Sequence, residues 1–529
     1  MRSFLYLEKL LGFDKPNNGF EIAEAETGTP PLDASNYDIN TTCEEKAPSS
    51  VSCDISVNYA YLYGVYKKDI NPDINLRKLK LHGKDDALAV FMTGMVDGTG
   101  VNDFILRPAM QENVEGTDVK AAEESTLPFN EAERSRNWKE IIKAVNEGKL
   151  AFFINGCDEA LILDTRGYEK RSVEASENEK TVLGAKEAFT ENLRTNITLL
   201  RRILKTEKFV CEFKRCRAIN NPNVTIAYLS GSANEFLINE IRRRVAKIET
   251  RGVLDVGTLV QLMGDGGFSI FPKELLTEKP DRVASHLLNG HIAVLMDGSP
   301  VAAVLPITLF SLMSSAEDSY ARPLLGGLLR FVRYVGVTVS ILLPAYFLAL
   351  ALYHQGLLTT EVLYTIIASR RMVFASIGTE MVYLLFVFQL IREAGMRVPG
   401  SIGQAIGIIG GLILGQAAVA ANLASTVVLI IVALTGLGNF CVPDYSLQIA
   451  VGYVRIMFVI AAWIGGLLGL VGATVIFLAV LSASRSYGVP YLAPFIPKTV
   501  SDRPFLLRGK ISMHKRTADY MNTDGDKTI

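Results

Sequence analysis

Cysteine is sparse: Cys43, Cys53, Cys157, Cys211, Cys216 and Cys441 form no CxxC pair and have no histidine at ligand spacing. This disfavours a structural zinc site and a disulfide framework. Neither charge sign is in excess. Lys+Arg 54 against Asp+Glu 55 leaves a net −1, so no global charge points to nucleic acid or to a solvating acidic tail. GxxxxGK[ST], HExxH, GxSxG and a Rossmann glycine fingerprint are all missing. The nearest approach to a phosphate cradle, Gly94 to Gly100 (GMVDGTG), lacks the Lys-Ser/Thr pair that grips phosphate and magnesium, and reads as a plain turn. The five histidines are far apart. The sequence therefore predicts no enzyme, cofactor or metal site.

The most informative shortage is of charge in the C-terminal part. From Tyr334 to Ala483 only Glu361, Arg370, Arg371, Glu380, Arg392, Glu393, Arg397, Asp444 and Arg455 interrupt apolar sequence, whereas charges recur every few residues up to about Arg322. A crossing helix needs ~20 apolar residues. Tyr334–Tyr353, Met372–Ile391, Ile402–Ala421 and Leu423–Cys441 each approach this, and Ser446–Ala483 divides naturally at Gly465-Gly466. The fold class expected is an α/β cytosolic region of two tandem related subdomains, followed by a polytopic helical membrane domain of about six spans. The basic residues Arg330, Arg333, Arg392, Arg397, Arg485 and Lys498 then share one side, read as cytosolic, as are both termini. Arg370 and Arg371 fall on the other side. The start, MRSFLYLEKLLGF, does not read as a secretory signal, because Glu8 and Lys9 interrupt it.

Organisation follows from composition and an internal repeat. Residues 1–56 read as a disordered extension. The stretch from Gly148-Lys149 through Asn155-Gly156 to Leu163 matches Gly290-His291 through Asp297-Gly298 to Leu305, each a strand, an Asn-Gly or Asp-Gly turn and a strand. Ahead of each lies an apolar strand ending in Gly94 or Gly231. The repeat assigns His291–Phe310 to a hairpin rather than a further span. Two α/β subdomains are expected, 57–183 and 207–321, joined by an amphipathic helix at 184–206. Its stripe is Phe189, Leu193, Ile197, Leu200 and Ile203, with Arg194, Arg201 and Arg202 on a face that could equally be solvated. The membrane domain spans 322–484 and a basic cytosolic tail 485–529.

Within the membrane half, Gly403, Gly407, Gly411 and Gly415 recur every fourth residue and build a ridge against which a backbone can lie. The ridge serves either packing inside one subunit or contact between copies around an axis. In the second case Ile406, Ile409 and Ile413 form a hydrophobic constriction that gates by dewetting. Glu380 and Arg455 lie at membrane depth, where an ionisable group costs ~2.5–3.5 kcal/mol on the lenient insertion scale. They form either a mutual pair or an ion site.

Several runs carry a resemblance. Glu191 to Asn196 (ENLRTN), Leu200-Arg201-Arg202, Ile391 to Pro399 (IREAGMRVP), Ile402 to Gly407, Gly415 to Val419 (GQAAV), Pro443 to Ser446 (PDYS) and Arg485 to Pro494 together resemble the GerA family of spore germinant receptor A subunits. The resemblance implies a multi-pass protein of the inner spore membrane that assembles with a permease-like B subunit and a lipoprotein C subunit. It further implies a homo-oligomeric ring that conducts monovalent cations when nutrients are sensed. Leu385 and Gln389 stand where family members often carry acids. The alternatives are a sporulation-type paralogue acting as an auxiliary channel, or a secondary transporter.

Overall fold

The computed structural model describes residues 50–81, 85–110, 132–167, 179, 184–264, 269–397, 411, 413–496 and 521. The first unit runs α1 (Ile55–Val65), β1 (Ile74–Leu81), β2 (Asp85–Met92), β3 (Ala132–Ser135), α2 (Trp138–Asn146), β4 (Leu150–Ile154) and β5 (Ala160–Leu163). The second runs α3 (Leu193–Ile203), β6 (Phe209–Arg215), β7 (Asn223–Leu229), α4 (Glu235–Lys247), α5 (Val256–Met263), β8 (Leu275–Thr277), α6 (Pro280–Leu287), β9 (Ile292–Met296) and β10 (Ala302–Leu305). Their five-stranded sheets have the orders β1-β2-β4-β5-β3 and β6-β7-β9-β10-β8, antiparallel throughout. The same topology twice, strand for strand, marks a duplication.

Glycine fixes the matching corners. Gly156 and Gly298 take φ of 88° and 84° in the two hairpin turns, a conformation that costs other residues about 1–2 kcal/mol. Each turn also grips the start of its unit. Gly156 N donates to Cys53 O and Gly298 N to Glu191 O, both at 2.8 Å. Asn155 Oδ1 accepts from Ile55 N at 3.4 Å, and Asp297 Oδ1 from Leu193 N at 3.2 Å. Helix α3 therefore stands to the second sheet as α1 stands to the first, and is the opening element of its unit rather than a separate linker. Residues before 57 also take part, with Val51 and Ile55 buried in the first core.

Helix α3 buries Leu193, Ile197 and Leu200 against the second sheet, while Ile203, the last of the stripe, stays 45% exposed where the helix ends. Arg201 departs from a solvated face: it is 2% exposed, donates to Asp73 of the first unit and lies 5.0 Å from the Phe209 ring. The contact between units is reciprocal. Thr198 of α3 fills the space over Gly94, and Lys67 at the end of α1 donates to Ser230, beside Gly231, at 2.7 Å.

Beyond the short helices Leu309–Leu312 and Ala316–Tyr320, the described residues include the longer helices α7 (Pro323–Tyr353), α8 (Thr360–Arg370), α9 (Ile377–Arg397), α10 (Thr426–Phe440) and α11 (Tyr445–Ala483). Two of them, α7 and α11, are long and apolar enough to cross a membrane. Their outward surfaces are apolar, with Leu324, Ile464 and Leu468 each more than 75% exposed, which a water-facing surface of this extent would not tolerate. Helix α11 is broken at Gly466 (φ 56°, ψ −139°). Phe458 and Phe477, which a straight helix would hold about 28 Å apart, meet edge to face at 5.6 Å, so α11 doubles back as two antiparallel halves. Tyr353 Oη donates to Trp463 O (2.8 Å) and Ile464 O (3.1 Å), satisfying carbonyls orphaned where the first half stops.

The chain leaving α11 returns to the second unit. Arg485–Ser486 pairs with Val489–Pro490, and buried Ser486 accepts from Ile307 N at 3.0 Å while donating to Lys273 O. The start of what the composition marked as a basic tail packs on the second unit, with Tyr487, Val489, Tyr491 and Leu492 burying their side chains.

Candidate functional site in the helical domain

The helices carry two buried polar centres. Glu380, in the first turn of α9, accepts from Ser425 Oγ at 2.7 Å and from Ser425 N. Ser425 is itself the N-cap of α10. Arg370 Nε lies 3.3 Å from Glu380 Oε2, and Arg370 Nη2 donates to Ala375 O at 2.6 Å. One carboxylate thus staples the end of α8 to the starts of α9 and α10, and a fully buried charge is tolerated because it is paired and hydrogen-bonded.

The alternative of a Glu380–Arg455 pair is corrected. Trp463 packs directly on Gly378, where an added Cβ would lie 2.3 Å from its ring. Glu380 therefore sits near the far end of the first half of α11, whereas Arg455 lies eight residues earlier, about 12 Å along that helix. Arg455, 2% exposed, instead reaches Ser340 Oγ of α7 at 3.4 Å. Arg370, placed on the far side by its sequence position, is accounted for by its carboxylate partner.

Glycine plays two parts. Gly336 and Gly438 bring the α7 and α10 backbones together, a Cβ on Gly438 falling 2.4 Å from Gly336 O, and Gly436 lies under the Phe388 ring. None of these belongs to the ridge read from the sequence; the signal available was a lone glycine within an apolar helix. Of the ridge, Gly403, Gly407, Ile406 and Ile409 lie outside the described residues. Among the described residues nothing lies within 4 Å of a Cβ added at Gly411, one at Gly415 meets the tip of Leu429, and Ile413 is 58% exposed. Among the described residues no group of three or more His, Cys, Asp or Glu is placed to hold a metal ion.

Residues 61–520 match the family model described as Bacillus/Clostridium GerA spore germination protein. This chain belongs to the GerA family. It is similar to spore germination protein KA of Bacillus subtilis (31% identical, covering 86% of this chain and 84% of that protein) and to spore germination protein GerLA of Bacillus cereus (33%, 86% and 94%). Spore germination protein GerQA of Bacillus cereus is 36% identical over 72% of this chain and 76% of its own length. Among solved structures, the N-terminal domain of the A subunit of the Bacillus megaterium spore germinant receptor GerK3 aligns at 25% identity and TM-score 0.39, covering 48% of this chain and 96% of that one.

In this GerA-family protein several of the motif residues have structural roles that the geometry explains. Asn192 caps α3 through Arg194 N (2.9 Å) and Thr195 N (3.2 Å). Asn196 holds Thr190 by its N–H (2.8 Å) and carbonyl (2.6 Å), and Asp444 caps α11 through Leu447 N at 2.8 Å. Burial raises the Asp444 carboxyl above its ordinary range, and burial, reinforced by the nearby Asp444 charge, does the same to Glu274 of the second unit.

Proposed function

We propose that this protein is the A subunit of a spore germinant receptor and that several copies form a nutrient-gated channel for monovalent cations. In this reading the chain crosses the inner spore membrane six times, through α7, α9, the apolar run Ile402–Ala421 read from the sequence, α10 and the two halves of α11. Both termini are cytosolic, and B and C subunits complete the receptor. The carrying observation is the contrast among glycines: Gly336, Gly378, Gly436 and Gly438 are filled by neighbours within the chain, whereas among the described residues none covers Gly411 and Ile413 is 58% exposed. A small-residue face that meets little more than Leu429 among the described residues is what contact between copies requires. The reversal at Gly466 supports an even number of crossings, since the start and end of α11 then lie on the side of the soluble units.

The test is the mass of the purified chain in nanodiscs, followed by potassium flux from liposomes reconstituted with the partner subunits. Oligomers whose flux rises with nutrient, and a persistent leak on replacing Ile409 by Ser, support the reading. Monomers in tight vesicles under every stimulus refute it.

A further inference from the structure

Arg392 of α9 and Arg455 of α11 are each at least nine-tenths buried. Arg392 lies one turn beyond Phe388, whose ring packs on Gly436 and Phe440 of α10, and Gly438 of the same helix lies against Ser340, the partner of Arg455, so the Arg392 charge bears on Arg455. The Nε of both lacks a hydrogen-bond acceptor, and Arg455 finds only the hydroxyl of Ser340. Among the described residues no carboxylate meets either guanidinium: Glu380 is taken by Arg370 and Ser425, and Asp444 caps α11. The sequence from 398 to 421 contributes no acidic side chain. Two buried cations with no anion among the described residues are costly to maintain.

We propose that Arg392 and Arg455, with the Ser340 hydroxyl, clasp a phosphate-type oxyanion, supplied by the headgroup of an anionic lipid or by free phosphate. The planar guanidinium fork matches the spacing of phosphate oxygens and binds them in pairs. Position agrees with the lipid source. Ser340 stands seven residues beyond Arg333, about 10 Å along α7, and Arg333 is tied to Asp318 at the edge of the second soluble unit at 2.6 Å. The clasp therefore lies between helices in the leaflet nearest the soluble units, where basic clefts draw anionic headgroups inward. This assignment is independent of ion conduction, and its failure would leave the channel reading untouched.

The experiment uses the full chain in nanodiscs of phosphatidylcholine, of phosphatidylcholine with phosphatidylglycerol, and of phosphatidylcholine with millimolar inorganic phosphate, read by melting temperature and by native mass spectrometry of retained lipid. The wild type is expected to melt higher with phosphatidylglycerol and to retain it. R392M/R455M loses that increment yet melts at or above wild type in phosphatidylcholine alone, since its buried charges are gone. R392K/R455K, which keeps the charge and loses the fork, retains the lipid several-fold less well and provides the comparison if the methionine variant does not fold. An increment with inorganic phosphate alone assigns the same clasp to a soluble ion. Equal responses in wild type and variants overturn the proposal, as does stabilisation of the wild type only when a second protein chain is co-reconstituted, which would assign the arginines to that chain's carboxylates.

Discussion

Arg201 shows what a single side chain decides. It lies in a helix whose sequence allows a solvated basic face, yet it is buried against Asp73, a residue 128 positions away. Removing one member of a buried pair leaves the other charged and dry, at about 3–5 kcal/mol. Arg201→Ala in the full chain should lower the melting temperature and loosen the first unit from the second, seen as faster proteolysis between them, whereas Arg202→Ala, whose partner Glu187 is half exposed, should change little. Glu380 is the comparable case in the helical domain. Glu380→Gln keeps an acceptor for Ser425 but strands Arg370, and is expected to cost roughly 1–3 kcal/mol in thermal stability while leaving the cation preference of reconstituted flux unchanged. A shift in preference would return Glu380 to the role of ion contact. An acid inside an apolar run marked Glu380 as unusual but not its partner, and periodicity left Arg201 on a face that could equally be solvated. Asp73 and Arg370 come from distant segments, and only the duplicated topology and the direction of α9 bring them into reach.

At the level of elements, much was readable because turn chemistry is local. The Asn-Gly and Asp-Gly hairpins, the division of the last apolar run at Gly465-Gly466 and the apolar stripe of α3 through Leu200 all follow from residue types at fixed spacing. Helix α8 was missed, since eleven residues ending in Arg370-Arg371 resemble a loop between spans. Helix contacts between glycines separate two cases cleanly. Gly438→Ala pushes a methyl into the Gly336 carbonyl and should destabilise the fold by about 1–3 kcal/mol. Gly411→Ala meets no atom within 4 Å among the described residues and should leave monomer stability intact while weakening association, measured by the mass distribution in nanodiscs. Acid strengthens the joint at the foot of α11. The carboxyls of Glu274 and Asp444 are raised by burial above the ordinary 4.5 and 3.8. The folded state therefore holds protons that the unfolded chain has already released. Stability of this joint should fall as pH rises from the ordinary carboxylate range through the raised values. Hydrogen exchange around residues 271–275 and 444–447 should slow on acidification, and Glu274→Gln should flatten the profile.

For the molecule as a whole, the division into a charged half and an apolar half was plain in composition, but the boundary between them in sequence is not a boundary in the core. Phe209, Cys211 and Leu295 of the second sheet belong to one continuous cluster with Ile341, Ala345 and Val459 of the long helices, whereas the first unit has cores of its own. Hydrogen exchange on the intact protein should therefore show two cooperative blocks, the first unit opening separately and the second unit opening together with the helices. Exchange that instead divides near residue 322 would contradict this.

The reversal at Gly466 gives that continuity a mechanical consequence. Because α11 goes out and comes back, its foot, its return strand at Ser486 and the root of α7 at Arg333 are all moored to the same water-facing layer. A tilt of that layer by a few degrees would swing three helical roots at once, with the hairpin tip at Gly466 describing the widest arc, so that a small nudge on the wet side arrives as a larger sweep at the far end.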